Sequence, residues 1–316
     1  MLQVYDASGK LLEENDDDGS TDPGYASYHG FRTTDSNVMI RPQAAGDYFV
    51  RISNTKGTSG PRTVYRLSRI ARAGRPDFRL RHYPDSVPIW GPGTTAALQV
   101  RVDWLSNPNF DIDLAIEGLP KGWKSSTASA LGLTKERPQN RYKDRVFLTI
   151  TAPNDVAIGT TLPFQVVGRV KRDGETIERI SYPLTWLCTS DTGFFRVAPQ
   201  SRVAVAKSQG PWLESTINEL TIKQGEKTTI PVRVHGASDL KEMPLVVNLA
   251  NSIKCNIGTP ANYPIKDGIA TVPLVDTANL PIGIFAVTVA QTWRSDIRIG
   301  MPGPCTPIIK LIVRPK

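Results

Sequence analysis

The sequence predicts an all-β protein built from tandem antiparallel β-sandwiches. A turn glycine followed by a strand of β-branched and aromatic residues occurs three times, at 45–52, 158–167 and 282–289. The chain contains 25 Gly and 25 Pro residues, and proline interrupts helices. No long stretch carries apolar residues at helical spacing. A length of 316 residues then accommodates two or three domains.

The first predicted domain covers residues 1–72. Apolar and polar residues alternate from Leu2 to Tyr5, which favours a half-buried strand, and a turn at 6–9 leads into a second strand. We expect three further strands in this domain, at residues 38–40, 48–52 and 64–67.

Four stretches of this domain resemble the bacterial pre-peptidase C-terminal domain, a jelly-roll-like sandwich of secreted proteins. They are VYDASGKLL at 4–12, NDD at 15–17, AGDYFVRI at 45–52 and YRLS at 65–68. The family's opening strand and acidic lead-in have no counterpart here. The resemblance therefore implies a domain that is truncated at its N-terminus, within an exported protein that continues upstream.

The second and third predicted domains cover 76–187 and 195–316 and follow one plan. Strands are expected in the second at 78–83, 93–102, 112–116, 146–150, 164–170 and 180–186. The third repeats this order: 225–234 parallels 93–102, 270–274 parallels 146–150, and 308–313 closes the domain. Short strands with regular turns bury a core by stacking two sheets, which predicts immunoglobulin-like sandwiches. They resemble the Ig-like modules that accompany pre-peptidase-type domains in large bacterial exported proteins.

An acidic loop in the first domain is the best candidate for a metal site. Calcium takes six to eight oxygen ligands, and a glycine-containing loop with crowded carboxylates can supply them. The candidate calcium ligands are Asn15, Asp16, Asp17, Asp18 and Asp22. Their spacing is not that of an EF-hand. The alternatives are a solvated acidic turn or a loop neutralised by arginines of the same domain.

No catalytic constellation is evident in the sequence. Asp191-Thr192-Gly193 matches the aspartic-protease triplet, but that chemistry needs two aspartates, so a turn in an interdomain linker is the favoured interpretation. His29, His82 and His235 fall in different domains or linkers, without the spacing of a zinc hydrolase. No Gly-x-Ser-x-Gly elbow precedes a helix. The chain is therefore predicted not to be an enzyme.

The net charge of +8 does not predict nucleic-acid binding. Arginines such as Arg79 and Arg81 alternate along strands, which predicts a solvent-facing row rather than a polyanion site. Cys255 and Cys305 are a candidate disulfide, which would leave Cys188 as an unpaired cysteine. Spacing alone does not establish the pairing.

The six tryptophans divide into two groups by their neighbours. Trp90 and Trp212 lie beside proline and are the candidates for exposed, sugar-binding rings. The other four are expected in a core or at its rim: Trp104, Trp123, Trp186 and Trp293.

We expect an accessory or structural region of a secreted, periplasmic or cell-surface bacterial protein. There is no apolar run long enough for a membrane span and no signal peptide, and the chain opens directly in a strand. The region would act as a spacer beside an upstream domain of the same polypeptide, or bind surface polysaccharide or protein. Two alternatives stay open: the C-terminal accessory region of a secreted peptidase or other hydrolase, and a carbohydrate-binding adhesion module.

Overall fold

The computed structural model describes the following residues of the chain: 1–16, 36, 38, 40, 42, 44–55, 57, 60–61, 64–65, 67, 76–105, 109–132, 145–189, 192–207, 210–236, 239–249, 257–258, 260–291 and 304–316. Of residues 145, 186–189 and 192–196 it describes the backbone only. Two compact units are present. One comprises Met1–Ala71 with Trp186–Val197, and the other comprises Arg72–Thr185 with Ala198–Lys316.

The first unit contains an antiparallel sheet of β1 (Leu2–Tyr5), β2 (Leu11–Asn15) and β3 (Phe49–Ile52), in the order β2-β1-β3. Val4 pairs with Val50 on one side and Glu13 on the other, and Val4 is buried. The predicted strands at 2–5, 10–13 and 48–52 are confirmed to within two residues at either end.

The strands predicted at 38–40 and 64–67 are wrong for the residues that the structure describes there. Val38, Ile40, Val64, Tyr65 and Leu67 all lie outside strands. Val64 is 86% exposed and Tyr65 is 73% exposed. An apolar strand is favoured when its side chains are buried against a sheet, and Val64 and Tyr65 gain no such burial, whereas Val38 and Ile40 are half-buried outside any strand.

The second unit contains two β-sandwiches, and the first of them follows β3 in the chain. Its strands, together with β14, run in this order: β4 (Phe78–Tyr83), β5 (Ser86–Ile89), β6 (Thr95–Trp104), β7 (Ile112–Glu117), β8 (Lys124–Ser125), β9 (Ala128–Ala130), β10 (Arg145–Thr151), β11 (Thr161–Arg172), β12 (Glu175–Ile180), β13 (Tyr182–Thr189), β14 (Thr192–Val197) and β15 (Ser201–Val205). β14 and the last residues of β13 belong to the first unit.

The second sandwich completes the chain. Its strands are β16 (Trp212–Ser215), β17 (Glu219–Lys223), β18 (Thr228–His235), β19 (Glu242–Leu249), β20 (Ala261–Lys266), β21 (Ile269–Leu274), β22 (Gly283–Gln291), β23 (Pro304–Cys305) and β24 (Ile309–Arg314). A three-residue 3-10 turn at Thr277–Asn279 is the one helical element among the described residues. The all-β fold class is confirmed.

Both sandwiches have the same immunoglobulin-like topology. In the first, β4-β6-β10 form one antiparallel sheet, and β15-β11-β7-β9 form the other, with β5 parallel to β15 at its edge. In the second, β16-β18-β21 face β24-β22-β19, and β17 runs parallel to β24. The correspondences predicted between 93–102 and 225–234, and between 146–150 and 270–274, are therefore confirmed as equivalent strands.

Each sandwich buries its own apolar core between its two sheets. In the first sandwich, Leu98 and Leu148 from one sheet meet Leu114 and Val166 from the other. In the second, Val232 packs with Val247, Val287 and Leu311 in the same way. The alternation of buried and exposed residues along β7 and β24 follows directly, because successive side chains of a strand point to opposite faces.

The prediction of an interdomain linker around Asp191 is wrong for the described residues on either side of Asp191. The backbone is in strand β13 up to Thr189 and in strand β14 from Thr192, and this stretch belongs to the first unit. Asp191 itself lies outside the described residues. The strand predicted at 180–186 is two strands, since β12 ends at Ile180 and β13 begins at Tyr182. The boundaries 1–72, 76–187 and 195–316 stay predictions.

Gly168 in β11 provides a test of the first core. A Cβ atom at this position would lie 2.5 Å from Leu80 Cδ1 and 3.1 Å from side-chain atoms of Ile112 and Leu114. We expect Gly168→Ala to lower the free energy of unfolding by about 1–3 kcal/mol, because an added methyl group overpacks a filled core. Denaturant unfolding measures the change. Gly210→Ala is the matched control, since a Cβ there meets no atom within 4 Å. Equal effects of the two substitutions would contradict the packing.

Candidate functional site

The two sandwiches are joined by backbone pairing. Strand β23 lies between β22 of the second sandwich and β6 of the first, in the order β6-β23-β22. Pro304 pairs with Ala96 and Cys305 with Thr95, while Cys305 also pairs with Ala290. A sheet of the first sandwich thus continues into a sheet of the second.

The start of β6 is held rigidly where β23 pairs with it. The amide of Gly93 donates to the carbonyl of Pro153 at 3.1 Å, and the amide of Ala152 donates to the carbonyl of Thr94 at the same distance. The hydroxyls of Thr95 and Thr151 lie 2.8 Å apart. These bonds fix the backbone to which Pro304 and Cys305 add.

Side chains at the junction are buried as in a protein core. Leu131, which follows β9 in the first sandwich, packs against the apolar core of the second. Cys305 is fully buried, and this desolvation raises the pKa of its thiol to about 12. The Thr288 hydroxyl donates to the Thr306 carbonyl at 2.7 Å, and the Thr306 hydroxyl accepts from the amide of Val289 at 3.0 Å. Buried polar groups are thereby paired at the junction.

An open cleft of about 530 Å³ lies between the outer faces of the two sandwiches. One wall comes from β7, β9 and β11 of the first sandwich and presents Asp113, Ser129 and Arg169. The other wall comes from β22, β24 and the residues before β24, and it presents Ile284, Ile308 and Lys310. The cleft is a concave surface to which both sandwiches contribute side chains.

Ion pairs surround the cleft. Arg169 donates to Glu117 at 2.6 Å and to Glu178 at 2.8 Å, and Lys310 donates to Glu219 at 2.8 Å. The bond from Arg169 lowers the pKa of Glu117, and the bonds to Glu117 and Glu178 raise the pKa of Arg169. These pairs are exposed, so each adds little to stability but fixes the direction of its side chain. Asp113 instead accepts a hydrogen bond from the Ser129 hydroxyl at 3.0 Å.

The arginines predicted to face solvent are partly buried in the first sandwich. Asp103 lies between Arg79, at 2.8 Å, and Arg81, at 2.6 Å, and Arg81 is only 3% exposed. Burial alone would raise the pKa of Asp103, but the two guanidinium groups outweigh it and lower that pKa. The prediction of a solvent-facing row is therefore wrong at Arg81, which the sheet holds in an ion pair.

His82 is a buried structural residue. Its Nδ1 lies 2.9 Å from the Ser181 hydroxyl, and its Nε2 lies 2.9 Å from the Ser201 hydroxyl. Complete burial lowers the pKa of its imidazole to about 3. His82 thus stays neutral and links three segments of the sandwich. A serine beside each ring nitrogen of a histidine suggests nucleophilic chemistry, but both serine residues are almost fully buried, at 4% exposed.

The predicted calcium loop is described only at its start. Asn15 ends β2, and the carboxylate of Asp16 lies 3.2 Å from the Met1 ammonium group. Asp17, Asp18 and Asp22 lie outside the described residues. No group of three or more potential metal ligands occurs within the described ranges. Calcium binding stays a prediction.

The other predicted site residues are dispersed. Cys305 is a free thiol in the structure, whereas Cys255 lies outside the described residues, so their pairing stays a prediction. His29 and Trp293 also lie outside them. Trp90 and Trp212, predicted to be exposed, are both half-buried.

The ring of Trp212 is partly covered by His235, which lies opposite it on the paired strand β18. Its ring stacks on that of His235 with centroids 3.8 Å apart and planes inclined by 8°, and His235 Nε2 lies 2.7 Å from a carboxylate oxygen of Glu214. Trp104 and Trp123 pack against the first core, as predicted for core or rim residues. The side chain of Trp186 is not described.

Sequence reasoning missed the cleft. Asp113 and Ser129 come together because β7 pairs with β9, and Arg169 joins them because β11 pairs with β7. Ile284 approaches them only through the junction of the sandwiches. The repeated glycine-led strand contains Ile284, but nothing in its pattern indicated that this side chain faces another domain.

Comparisons with known proteins give little further information. No family model matches the chain, and no curated protein matches it. Among solved structures, the fibronectin(III)-like modules of Clostridium thermocellum CbhA align over 76% of this chain and 95% of theirs, with 12% identity and a TM-score of 0.22. This similarity is too low to support a functional argument. No helix among the described residues has the length and apolarity needed to cross a membrane.

The buried imidazole predicts a loss of stability in acid. The pKa of His82 is about 3 in the folded protein against about 6.5 in an unfolded chain, so between these pH values only the unfolded chain binds the proton. We expect the free energy of unfolding to fall by about 1.4 kcal/mol per pH unit as the pH drops through this window.

Chemical denaturation of the wild type and of His82→Gln at a series of pH values measures this contribution. Other groups titrate equally in both proteins, so the difference between the two curves isolates His82. We expect that difference to shrink steadily below pH 6.5. Parallel curves would show that His82 is not held neutral in the fold.

Thermal unfolding of the full chain tests the calcium site predicted in the acidic loop of the first unit. If the acidic loop binds the ion, calcium should raise the melting temperature of the full chain by several degrees relative to a chelator, because a ligand that binds only the folded state stabilises it. Asp16→Asn combined with Asp18→Asn should remove the increase. An increase that survives in the double variant would place the ion elsewhere.

Proposed function

We propose that this chain is a non-catalytic structural region in which the two immunoglobulin-like sandwiches act as one stiff spacer. The supporting observation is the pairing of β23 with both β22 and β6. Domains joined only by a flexible linker move independently by default. Here the backbone pairing at Thr95 and Ala96 and the insertion of Leu131 oppose that motion.

The spacer would belong to an exported bacterial protein and act beside an upstream domain of the same polypeptide. This part of the proposal rests on the resemblance of four stretches in 1–72 to the pre-peptidase C-terminal domain. An ion bound by the acidic loop would suit a calcium-rich exterior.

Two other functions have less support. An accessory region of a secreted peptidase or other hydrolase would have the same architecture, and it would differ only in what lies upstream. A carbohydrate-binding module needs exposed aromatic rings, and the two tryptophans that were candidates for this role are partly covered: Trp212 is stacked on His235 and Trp90 is half-buried. Casein and a panel of polysaccharides, incubated with the full chain, should be neither cleaved nor retained. Turnover of either substrate would overturn the non-catalytic assignment.

A stiff spacer should unfold its two sandwiches together. In scanning calorimetry of the full chain, we expect one transition to include both cores. Leu131→Asp places a charge against the second core and should cost about 2–4 kcal/mol, because an unpaired polar group replaces apolar packing. The second sandwich should then melt separately and at a lower temperature.

Leu240→Asp is the matched control for this experiment. Leu240 is a leucine of the second sandwich that is 43% exposed, and its substitution should leave a single transition. Two well-separated transitions in the wild type would contradict the proposal, since the sandwiches would then be independent domains.

A further inference from the structure

Strand β3 is an edge of the sheet in the first unit. The sheet has the order β2-β1-β3, so one side of β3 has no neighbouring strand among the described residues. All of β3 is exposed, with Phe49 58% and Val50 48% exposed. An unpaired backbone edge can pair with another chain, and natural edges are usually protected by several charges, a proline or a bulge. β3 has three apolar residues, a single charge and a regular register with β1, so its edge is open to pairing.

The pairing of β3 with β1 determines which backbone groups point outward. The amide of Ser53 donates to the carbonyl of Met1 at 3.0 Å, and the Met1 ammonium group donates to the Ser53 carbonyl at 2.9 Å. Successive residues of an antiparallel strand direct their N–H and C=O groups to opposite sides. Ile52 and Val50 therefore direct theirs away from β1, and Phe49 directs its own toward β1.

The sequence around β3 is complementary to itself. Asp47 and Arg51 lie at equal distances on either side of Phe49, and so do Tyr48 and Val50. Asp47 and Arg51 are both exposed, and neither forms an ion pair with another residue that the structure describes. Two copies aligned antiparallel about Phe49 place Asp47 of each copy opposite Arg51 of the other. Opposite charges on directly opposed residues stabilise a strand pair.

The other symmetric registers of β3 are less favourable. Opposed residues in a regular antiparallel pair direct their backbone groups either toward each other or both away, so a two-fold axis must oppose a residue to its own copy. An axis at Arg51 opposes two guanidinium groups, and an axis at Val50 leaves Asp47 without an opposite charge. An axis at Phe49 opposes two phenyl rings in a pair without hydrogen bonds, where side chains approach most closely.

The other edge of the sheet is protected. Strand β2 has one extra residue, Leu12, in its register with β1, which marks a β-bulge. The strand also carries two adjacent exposed carboxylates, Glu13 and Glu14. A bulge and charges both oppose edge-to-edge pairing, so β3 is the edge of this sheet that accepts an added strand.

We propose that two copies of this chain associate through β3, antiparallel about Phe49, so that three strands from each copy form one continuous sheet. The pairing extends β3 to Asp47, and hydrogen bonds join Tyr48 of each copy to Val50 of the other. The contact uses the same surface on both copies, so it closes as a dimer. It is smaller than a standard protein interface, so the dimer is weak and depends on concentration. The surface belongs to the first unit and does not rest on the proposed role of the sandwiches as a spacer.

Sedimentation velocity of the full chain over a range of concentrations tests this proposal. We expect a reversible equilibrium between monomer and dimer. Asp47→Arg opposes two arginines and Arg51→Asp opposes two aspartates, so each substitution should weaken the dimer by about tenfold. An equal mixture of the two variants should restore association, because opposite charges then face each other at both flanks of Phe49. A wild type that is monomeric at every concentration, or a mixture that stays monomeric, would overturn the proposal.

Glu13→Arg is the matched control variant. It makes the same change of charge as Asp47→Arg, at an exposed position of the same sheet but on β2. It should dimerise as the wild type does. If Glu13→Arg weakened the dimer as much as Asp47→Arg, net charge rather than the β3 contact would control association, and the proposal would be wrong.

Disulfide cross-linking in the full chain tests the register. In a pair without hydrogen bonds the two Cα atoms lie about 4.5 Å apart, which a disulfide can span. We expect Phe49→Cys to give a covalent dimer under mild oxidation. Val50→Cys should give no more than the wild type, because the two copies of Val50 lie diagonally across the pair. Cross-linking through Val50→Cys in place of Phe49→Cys, or through neither, would contradict pairing about Phe49.

Discussion

The pairing of Pro304 and Cys305 with Ala96 and Thr95 determines the organisation of the second unit. A strand pair of two residues contributes little energy alone, since one hydrogen bond adds about 0.5–1.5 kcal/mol to stability. Its effect comes from position. The pair includes the buried Cys305 and lies next to the buried Thr288 and Thr306. Buried polar groups such as these must stay hydrogen-bonded, because an unpaired buried polar group lowers stability further. Separating the sandwiches would break the pairing of β23 with β6 beside these groups.

Desolvation explains the other polar residues inside the first sandwich. His82 is tolerated because it is neutral and has a serine hydroxyl at each ring nitrogen. Asp103 is tolerated because two guanidinium groups lie within 2.8 Å of it. A buried ion pair of this kind is weak evidence of added stability, because the attraction first has to offset the lost hydration. Its firmer consequence is that it fixes how β4 and β6 align.

Local patterns in the sequence were sufficient to predict the fold of the sandwiches. Short apolar stretches between turn signals located β6, β7, β10 and β18, because such stretches suit strands that stack in two sheets around a core. Turn glycines located the starts of β11 and β22 in the same way. The strands predicted at 38–40 and 64–67 are wrong at their described residues, because the apolar content of a short segment does not reveal whether another sheet covers it. The segment on either side of Asp191 looked like a linker because Asp, Thr and Gly favour turns.

The candidate cleft could not be predicted, because it depends on contacts between distant parts of the chain. Asp113 and Ile284 are ordinary residues of their strands, and only the junction at β23 brings their faces together. Arg81 was misjudged for a related reason: alternation identifies the face to which a side chain points, but not what lies against that face.

Native-state hydrogen exchange tests the junction most directly. The amides to follow are those of Leu98 in β6, Val289 in β22 and Thr306 beside β23, whose amide donates to the carbonyl of Val289 at 2.8 Å. If the sandwiches form one cooperative body, all three amides should exchange through an opening of the same free energy, with the same dependence on denaturant. If Val289 and Thr306 exchange at a distinctly lower free energy than Leu98, the sandwiches open independently and the account of a single stiff body is wrong.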